Sequence, residues 1–386
     1  MVSPSRAGEL NRARVLKTLY AMGPLPRPEL ARMTGSNRAT IGQIVQPLLD
    51  EGVLAEGEPL ASGVQGGKPA RPLWFTRDGW RVGAVVLLPD EAQVALVSAG
   101  GTVTAGTTVA FGSREVDPAD AVQRIAAALT DLAGGGVGAL RGVGVAVGGL
   151  VDTGTGDVVT VELAPRWGGV ALGRTLADVL GVPVHVDNHA RALALGDLLF
   201  GLGRGHDEFC SLYLGEGIGA GFIVDGTLQQ GRRGAGGEVG HAVVDRAGPR
   251  CACGRTGCWE TVAANRWLRR EATGRGLRGA RGVTVARLAA RPDDPAAAAL
   301  LADYVANVAL GIVNVQHTLG VGLFVVHGAP GGGGEPVRAA LEAEVRARTF
   351  VHPGGEVEIR FADVDDHTAV RGAAAVVLAR SLHVAF

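Results

Sequence analysis

Three cysteines and a histidine carry the most specific chemistry in this chain. Cys251, Cys253 and Cys258 sit in the run Cys-Ala-Cys-Gly-Arg-Thr-Gly-Cys, and His241 lies ten residues before the first of them. Thiolates and an imidazole in that number are the donor set of a tetrahedral Zn²⁺. Gly254 and Gly257 give the backbone freedom to wrap tightly around an ion. Four protein ligands leave no open coordination position, so the expected zinc is structural and not catalytic. The competing reading is buried free thiols, which are common in cores. Three cysteines within eight residues, out of four in the chain, favour a metal site in a reducing compartment. Cys210 stands alone and reads as a core residue.

A second set of side chains has the chemistry to read DNA. In the stretch after Asn37, Ile41, Ile44, Val45, Leu48 and Leu49 follow i, i+3, i+4, i+7, i+8 and make one apolar stripe. Ala39, Thr40, Gln43 and Gln46 face away from it, with Arg38 at its edge. Gln can bond adenine N6 and N7, Arg can bond guanine O6 and N7, and Thr can touch a thymine methyl. Farther on, Gly66-Gly67-Lys68-Pro69-Ala70-Arg71-Pro72 is a basic loop whose Lys68 and Arg71 could reach phosphates or a minor groove.

These residues need elements to hold them. Leu10, Val15, Leu16, Leu19 and Tyr20 predict a first helix, stopped by Gly23-Pro24. Pro28 opens a second, with Leu30, Ala31 and Met33 inward and Gly35 at its C-cap. Ser36 or Asn37 caps the third. Pro47 lies inside that third helix, where it costs about 3 kcal/mol or forces a kink. Two short strands, Val53 to Glu56 and Leu73 to Phe75, flank the basic loop as a wing. Helices, turn and wing together predict a winged helix-turn-helix over residues 1–76. A small helical subdomain with a solvated loop is the plainer alternative. Net charge is −1 overall, so any basic footprint must be local. Residues 1–74 carry +3 and the remainder −4, which favours DNA contact at the front.

Behind the wing the chain alternates strands and helices, the pattern of an α/β fold. A hairpin is expected at Val82 to Leu88 and Gln93 to Ser98, and helices at Asp117 to Ala133, Leu172 to Leu180 and His189 to Phe200. Strands are expected at Gly142 to Val147 and Val184 to Val186. A second unit begins at Phe209, with a long apolar helix at Ala296 to Leu319, a strand at Val321 to His327 and a last helix at Thr368 to Leu382. Gly331 to Gly334 reads as a loop. No internal repeat of 20–50 residues stands out, although two similar α/β halves are plausible. The N-terminus has no apolar signal core. No run of about 18 apolar residues is free of Gly or charge, so no membrane span is expected. A cytoplasmic location follows.

With these pieces assembled, the chain resembles the ROK family (repressors, open reading frames and kinases), and specifically its winged-helix repressors. The most specific match is Gly237-Glu238-Val239-Gly240-His241 leading into Cys251-Ala252-Cys253-Gly254-Arg255-Thr256-Gly257-Cys258-Trp259-Glu260. Gly215-Glu216-Gly217-Ile218-Gly219-Ala220-Gly221 and Gly181-Val182-Pro183-Val184-His185-Val186-Asp187-Asn188 support it. The resemblance implies a two-lobed, actin-like sugar-kinase fold of ribonuclease H-like lobes. The first lobe would take residues 77–192 with 364–386. The second would take 193–363, with the zinc site and an oligomerisation surface. It also implies a homodimer or homotetramer and a double-stranded DNA operator. A sugar or sugar phosphate would be held as effector by Asn188, His189, Glu238, His241 and Glu260.

Kinases of that family need a phosphate loop Asp-x-Gly-Gly-Thr, whose backbone N–H groups approach the phosphates. Here the corresponding stretch has Val85 for the Asp and Leu87 and Leu88 for the glycines. They also need a catalytic Asp after Asn, as proton acceptor, and Asn188 is followed by His189. A Gly-Gly pair near the nucleotide is replaced by His327-Gly328-Ala329-Pro330. The expectation is therefore no enzyme. The chain reads as a DNA-binding regulator of carbohydrate-related genes, controlled through a degenerate sugar-kinase site. The alternatives are an ATP-dependent sugar kinase with an added DNA-binding domain, and a regulator controlled by a protein partner.

Overall fold

The computed structural model describes residues 4–59, 70–112, 115–350, 355–363 and 367–384. Lys68 of the expected wing lies outside them. Contacts divide the chain into two units, Met1–Gly205 with Ala369–Phe386, and His206–Thr368.

The first unit opens with helix α1 (Pro4–Met22), strand β1 (Leu25–Pro26), helices α2 (Arg27–Thr34) and α3 (Arg38–Asp50), and strands β2 (Leu54–Glu56) and β3 (Pro72–Phe75). The strands form an antiparallel sheet in the order β1-β3-β2. Strand β1 was not expected, because Gly23-Pro24 reads only as a stop. Val15, Leu16, Leu19, Leu30, Ile41, Val45, Leu48 and Leu73 are buried together as the core of this part. Gly35 ends α2 at φ +67°, a left-handed cap that suits glycine. Asn37 caps α3, its side chain accepting from the Thr40 N–H at 2.8 Å.

Two expected core residues are not in the core. Leu10 is 54% exposed, since it stands five residues before Val15 and so about 140° around the helix from it. Met33 is 39% exposed and Thr34 is buried in its place. The Thr34 hydroxyl donates to the Leu30 carbonyl at 2.7 Å, which satisfies it one turn from buried Leu30. Helix α3 runs on through Pro47 to Asp50. Pro47 is exposed, so the Gln43 carbonyl that it leaves without a helical partner can be hydrated.

The unit continues with β4 (Arg81–Leu87), β5 (Glu91–Ser98), β6 (Val103–Ala110), α4 (Pro118–Leu132), β7 (Val143–Val147), the hairpin β8 (Leu150–Asp152) and β9 (Asp157–Thr160), α5 (Leu172–Leu180), β10 (Val184–Asn188) and α6 (His189–Leu199). The C-terminal helix, Thr368–Leu382, packs here as well. The main sheet runs β10-β7-β4-β5-β6, with β10, β7 and β4 parallel and β5 and β6 antiparallel. The boundary expected between residues 192 and 193 falls inside α6, and all of α6 stays with the first unit.

The second unit has β11 (Phe209–Leu214), β12 (Ile218–Val224), β13 (Thr227–Leu228), α7 (Glu260–Ala263), α8 (Asn265–Gly274), α9 (Val285–Ala289), α10 (Pro295–Leu319), β14 (Leu323–Gly328), α11 (Gly334–Arg348) and β15 (Glu358–Phe361). Its sheet runs β13-β12-β11-β14-β15. In each unit's own strand order this is 3-2-1-4-5, the same path as in the first unit's main sheet. Strands 1, 2 and 3 are antiparallel neighbours, and 1, 4 and 5 are parallel. The chain is thus a duplicated ribonuclease H-like topology behind a winged helix, which is the actin-like architecture. The Gly331 to Gly334 stretch is not a plain loop. A 3-10 turn spans Ala329–Gly333, and α11 starts at Gly334. Helix α10 is long and apolar enough to cross a membrane. Its Tyr304, Val308 and Ile312 instead pack into the second unit's core with Trp259 and Trp267, and Gly311 lets the Trp259 ring lie against the helix backbone.

Candidate metal centre and DNA-reading helix

The four side chains that could hold a metal come together because the backbone between β13 and α7 folds back on itself. Cys251 N–H donates to Arg255 O at 2.7 Å, Gly257 N–H to Pro249 O at 2.9 Å, and Val244 N–H to Gly257 O at 2.8 Å. Gly254 (φ +86°) and Gly257 (φ +74°) take left-handed conformations. A Cβ on Gly257 would overlap the Asp245 carbonyl oxygen. The result places one donor atom each from His241, Cys251, Cys253 and Cys258 within 4.8 Å of one another. Cys253 Sγ and Cys258 Sγ are 3.6 Å apart, and Cys251 Sγ and His241 Nδ1 are 3.7 Å apart. Bonds of about 2.3 Å to sulfur and 2.0–2.1 Å to nitrogen in a tetrahedron give edges of about 3.8 Å and 3.6 Å. The cluster could therefore hold a metal ion, and its dimensions fit zinc.

Ligation requires the thiols to lose their protons. Burial, then a hydrogen bond to Glu260, pushes the Cys251 thiol well above its usual range. Burial chiefly raises Cys258. Both thiols stay protonated unless a cation takes the place of the proton, so metal binding here releases protons.

Three of the expected effector residues cluster at this centre. Glu238 Oε2 lies 4.0 Å from His241 Nε2, and Glu260 Oε1 lies 3.9 Å from His241 Nδ1. Glu260 is buried, accepts from Cys251 Sγ at 2.8 Å and is paired with Arg266. Sequence reasoning missed Arg266. Its signal was a cation six residues after a carboxylate, across the break between α7 and α8. Asn188 and His189 belong to the first unit. Asn188 caps α6, its Oδ1 accepting from Ala190 and Arg191 N–H groups, while Nδ2 donates to Gly149 O at 2.9 Å. That leaves one amide N–H for any ligand.

The β4–β5 and β11–β12 hairpin turns occupy equivalent places in the two strand orders. In the first unit the turn is Leu88-Pro89-Asp90. Leu88 spends its N–H on Glu91 O at 2.9 Å, Pro89 has none, and Val85 and Leu87 are buried in β4. In the second unit the turn is Gly215-Glu216-Gly217, and Arg269 grips the Glu216 carboxylate at 2.8 and 2.6 Å. A carboxylate stands in each turn.

On the winged helix, Arg38, Gln43 and Gln46 are exposed along α3 and Thr40 is half-buried. Gln46 Nε2 donates to Asp50 Oδ1 at 2.9 Å, so its amide is already engaged. Arg71 is exposed beside β3. Arg27 and Arg32 are paired with Glu56 and Glu29.

Comparison with known proteins adds the following. The ROK family profile matches residues 90–380. The xylose repressor of Bacillus subtilis is 30% identical over 263 residues, 67% of each chain. The glucokinase of Thermotoga maritima is 39% identical over 182 residues, 46% of this chain and 55% of that one. Among solved structures, a ROK family transcriptional regulator described as a homolog of the E. coli MLC protein matches with a TM-score of 0.77. That match has 25% identity and covers 98% of each chain.

Proposed function

This chain belongs to the ROK family, and from that premise we propose that it is a DNA-binding transcriptional regulator of carbohydrate-related genes, without kinase activity. The observation that carries the reading is α3. It is capped by Asn37, buried on one side by Ile41, Val45 and Leu48, and exposed on the other with Arg38 and Gln43. A helix with that outward face, following α2 across a glycine turn, suits a major groove. Arg38, Thr40 and Gln43 read bases, Gln46 joins them on releasing Asp50, and Arg71, with Lys68, meets the phosphates.

The absence of kinase chemistry is supported by the first hairpin turn. Asp90, beside a proline that has no N–H, places negative charge where a triphosphate would need N–H groups and cations. His189 stands where a carboxylate would accept the sugar proton. The effector is a sugar or sugar phosphate, and Asn188, His189, Glu238, His241 and Glu260 are the residues we assign to its recognition. Zn²⁺, held by His241, Cys251, Cys253 and Cys258, is structural and ties the Glu238 and Glu260 segments together. The protein works in the cytoplasm as a homodimer or homotetramer, whose two-fold symmetry calls for a roughly palindromic operator.

The test is a gel shift of metal-loaded protein on the DNA upstream of its own gene, with and without D-xylose and D-glucose. Sequence-selective binding is expected, and one sugar should alter it. Gln43→Ala should weaken selective binding by about 10- to 100-fold, the value of a good base contact. Arg71→Ala should weaken binding to all duplexes alike. ATP-dependent phosphorylation of either sugar above background would establish the kinase reading instead.

A further inference from the structure

We propose that helix α6 links the effector-facing residues to the DNA-reading domain, through an aromatic joint made of Tyr20, Phe75 and Phe200. The proposal rests on the regulator reading above. It explains how occupancy of one site could reach the other within a single unit of the fold.

The near end of α6 carries the effector-facing residues. Asn188 caps the helix and His189 is its first residue. Asp187 and Arg191, both fully buried, are joined at 2.6 Å, which pins the first turn to the end of β10. A movement of Asn188 or His189 is therefore a movement of the helix end and not of a loose side chain.

The body of α6 is a rod. Residues 190–199 are all buried. Gly196 crosses Gly372 of the C-terminal helix so closely that a Cβ on Gly196 would lie 3.0 Å from Gly372 Cα. A Cβ on Gly372 would lie 2.9 Å from the Ala192 carbonyl oxygen. Packed interfaces of this kind move between discrete arrangements and do not bend gradually. Eleven residues carry a displacement about 16 Å.

The far end meets the winged helix. Phe200 follows the last turn of α6, and its ring stands edge-on to Tyr20 of α1 at 5.6 Å. Gly101 leaves room for that ring, since a Cβ there would sit 2.5 Å from it. Tyr20 stacks on Phe75 of β3 at 4.0 Å, and its buried hydroxyl donates to Ala99 O at 2.8 Å. Arg204, just past α6, donates to Ala21 O at 3.2 Å. From Phe75 the connection to the reading helix is backbone. Thr76 N–H donates to Val53 O, and Val53 N–H donates to Leu48 O of α3. Tyr20, Phe75 and Phe200 are thus positioning residues. They touch neither DNA nor effector, and they fix where α3 points.

Spatial continuity alone does not show coupling, so the test measures coupling directly. Full-length, metal-loaded protein first selects a duplex from a randomised pool. Operator Kd is then measured for wild type, His189→Asp, Phe200→Leu and the double variant. A carboxylate at position 189 changes the charge at the α6 N-terminus, where the helix dipole responds to it. His189→Asp is expected to shift operator Kd by at least about 5-fold. In the Phe200→Leu background the shift should fall below about 2-fold, the range in which independent sites add. Equal shifts in both backgrounds, or no shift in either, would overturn the proposal. Should Phe200→Leu fail to fold, Phe75→Leu, which removes the ring stacked on Tyr20, takes its place in the cycle. If no duplex is selected at all, the regulator reading itself is what fails, and the coupling falls with it.

Discussion

Replacing Cys258 by Ser should strip the metal from this protein and cost about 4 kcal/mol or more of stability, at the upper end of what single substitutions do. Cys258 is fully buried, lies 3.6 Å from Cys253 Sγ and leads directly into Trp259 and α7. Zinc binding contributes on the order of 10 kcal/mol in isolated finger peptides, where it supplies the whole fold. Here the segment also has its own backbone hydrogen bonds, so part of the structure should survive. What disappears is the cross-link between the His241 segment and α7, and with it the placement of Glu238 and Glu260. Metal analysis of wild type should give one zinc per chain and of the variant almost none. In calorimetry, a strong chelator should lower the unfolding temperature of wild type and leave that of the variant unchanged. Wild type that carries no metal, or that ignores the chelator, would show that the four side chains are merely neighbours.

Gly144→Ala should be nearly as damaging, for an unrelated reason. Gly144 lies in β7, an inner strand between β10 and β4 of the first unit's main sheet. A Cβ there would overlap the carbonyl oxygen of Ala373 in the C-terminal helix. Overpacking against side chains costs about 1–3 kcal/mol because they can rotate away. A backbone carbonyl in a helix cannot, so the loss expected is about 3 kcal/mol or more. The control is Gly106→Ala on exposed β6, where the nearest atom would be 3.5 Å away. That change should be neutral or add about 0.4–1 kcal/mol by restricting the unfolded chain. Equilibrium urea unfolding compares the two, and equal effects would mean that β7 and the C-terminal helix do not pack as described.

What could be read from the sequence was what depends on neighbours along the chain. The stripe Ile41, Val45, Leu48 settles α3 because a helix places those residues on one side by its period alone. Gly35 ends α2 and Asn37 starts α3 by local backbone chemistry. The four residues that could hold a metal were legible because their spacing is short and their types are rare together. Elements whose reason for existing lies elsewhere were missed. Strand β1 is two residues long and exists only because β3 pairs with it. Strand β6 is a half-exposed edge with Gly106 and a run of Thr, held in place by β5. Helix α11 begins in a glycine run that reads as loop.

By itself, then, the sequence determined which four side chains could hold a metal, the outward polar face of α3, and the α/β alternation. Each follows from covalent spacing and from the fixed periods of helix and strand. Only the tertiary structure decided that both units share one strand order. Strand order is a matter of which distant segments pair, and two sequences can satisfy the same pairing with different residues. Only the tertiary structure, too, set the close crossing of Gly196 with Gly372, the partners of Glu216 and Glu260, and the meeting of Tyr20 with Phe75 and Phe200. Those are encounters between residues far apart in the chain, brought together by burial of the surfaces that carry them and marked by no local pattern.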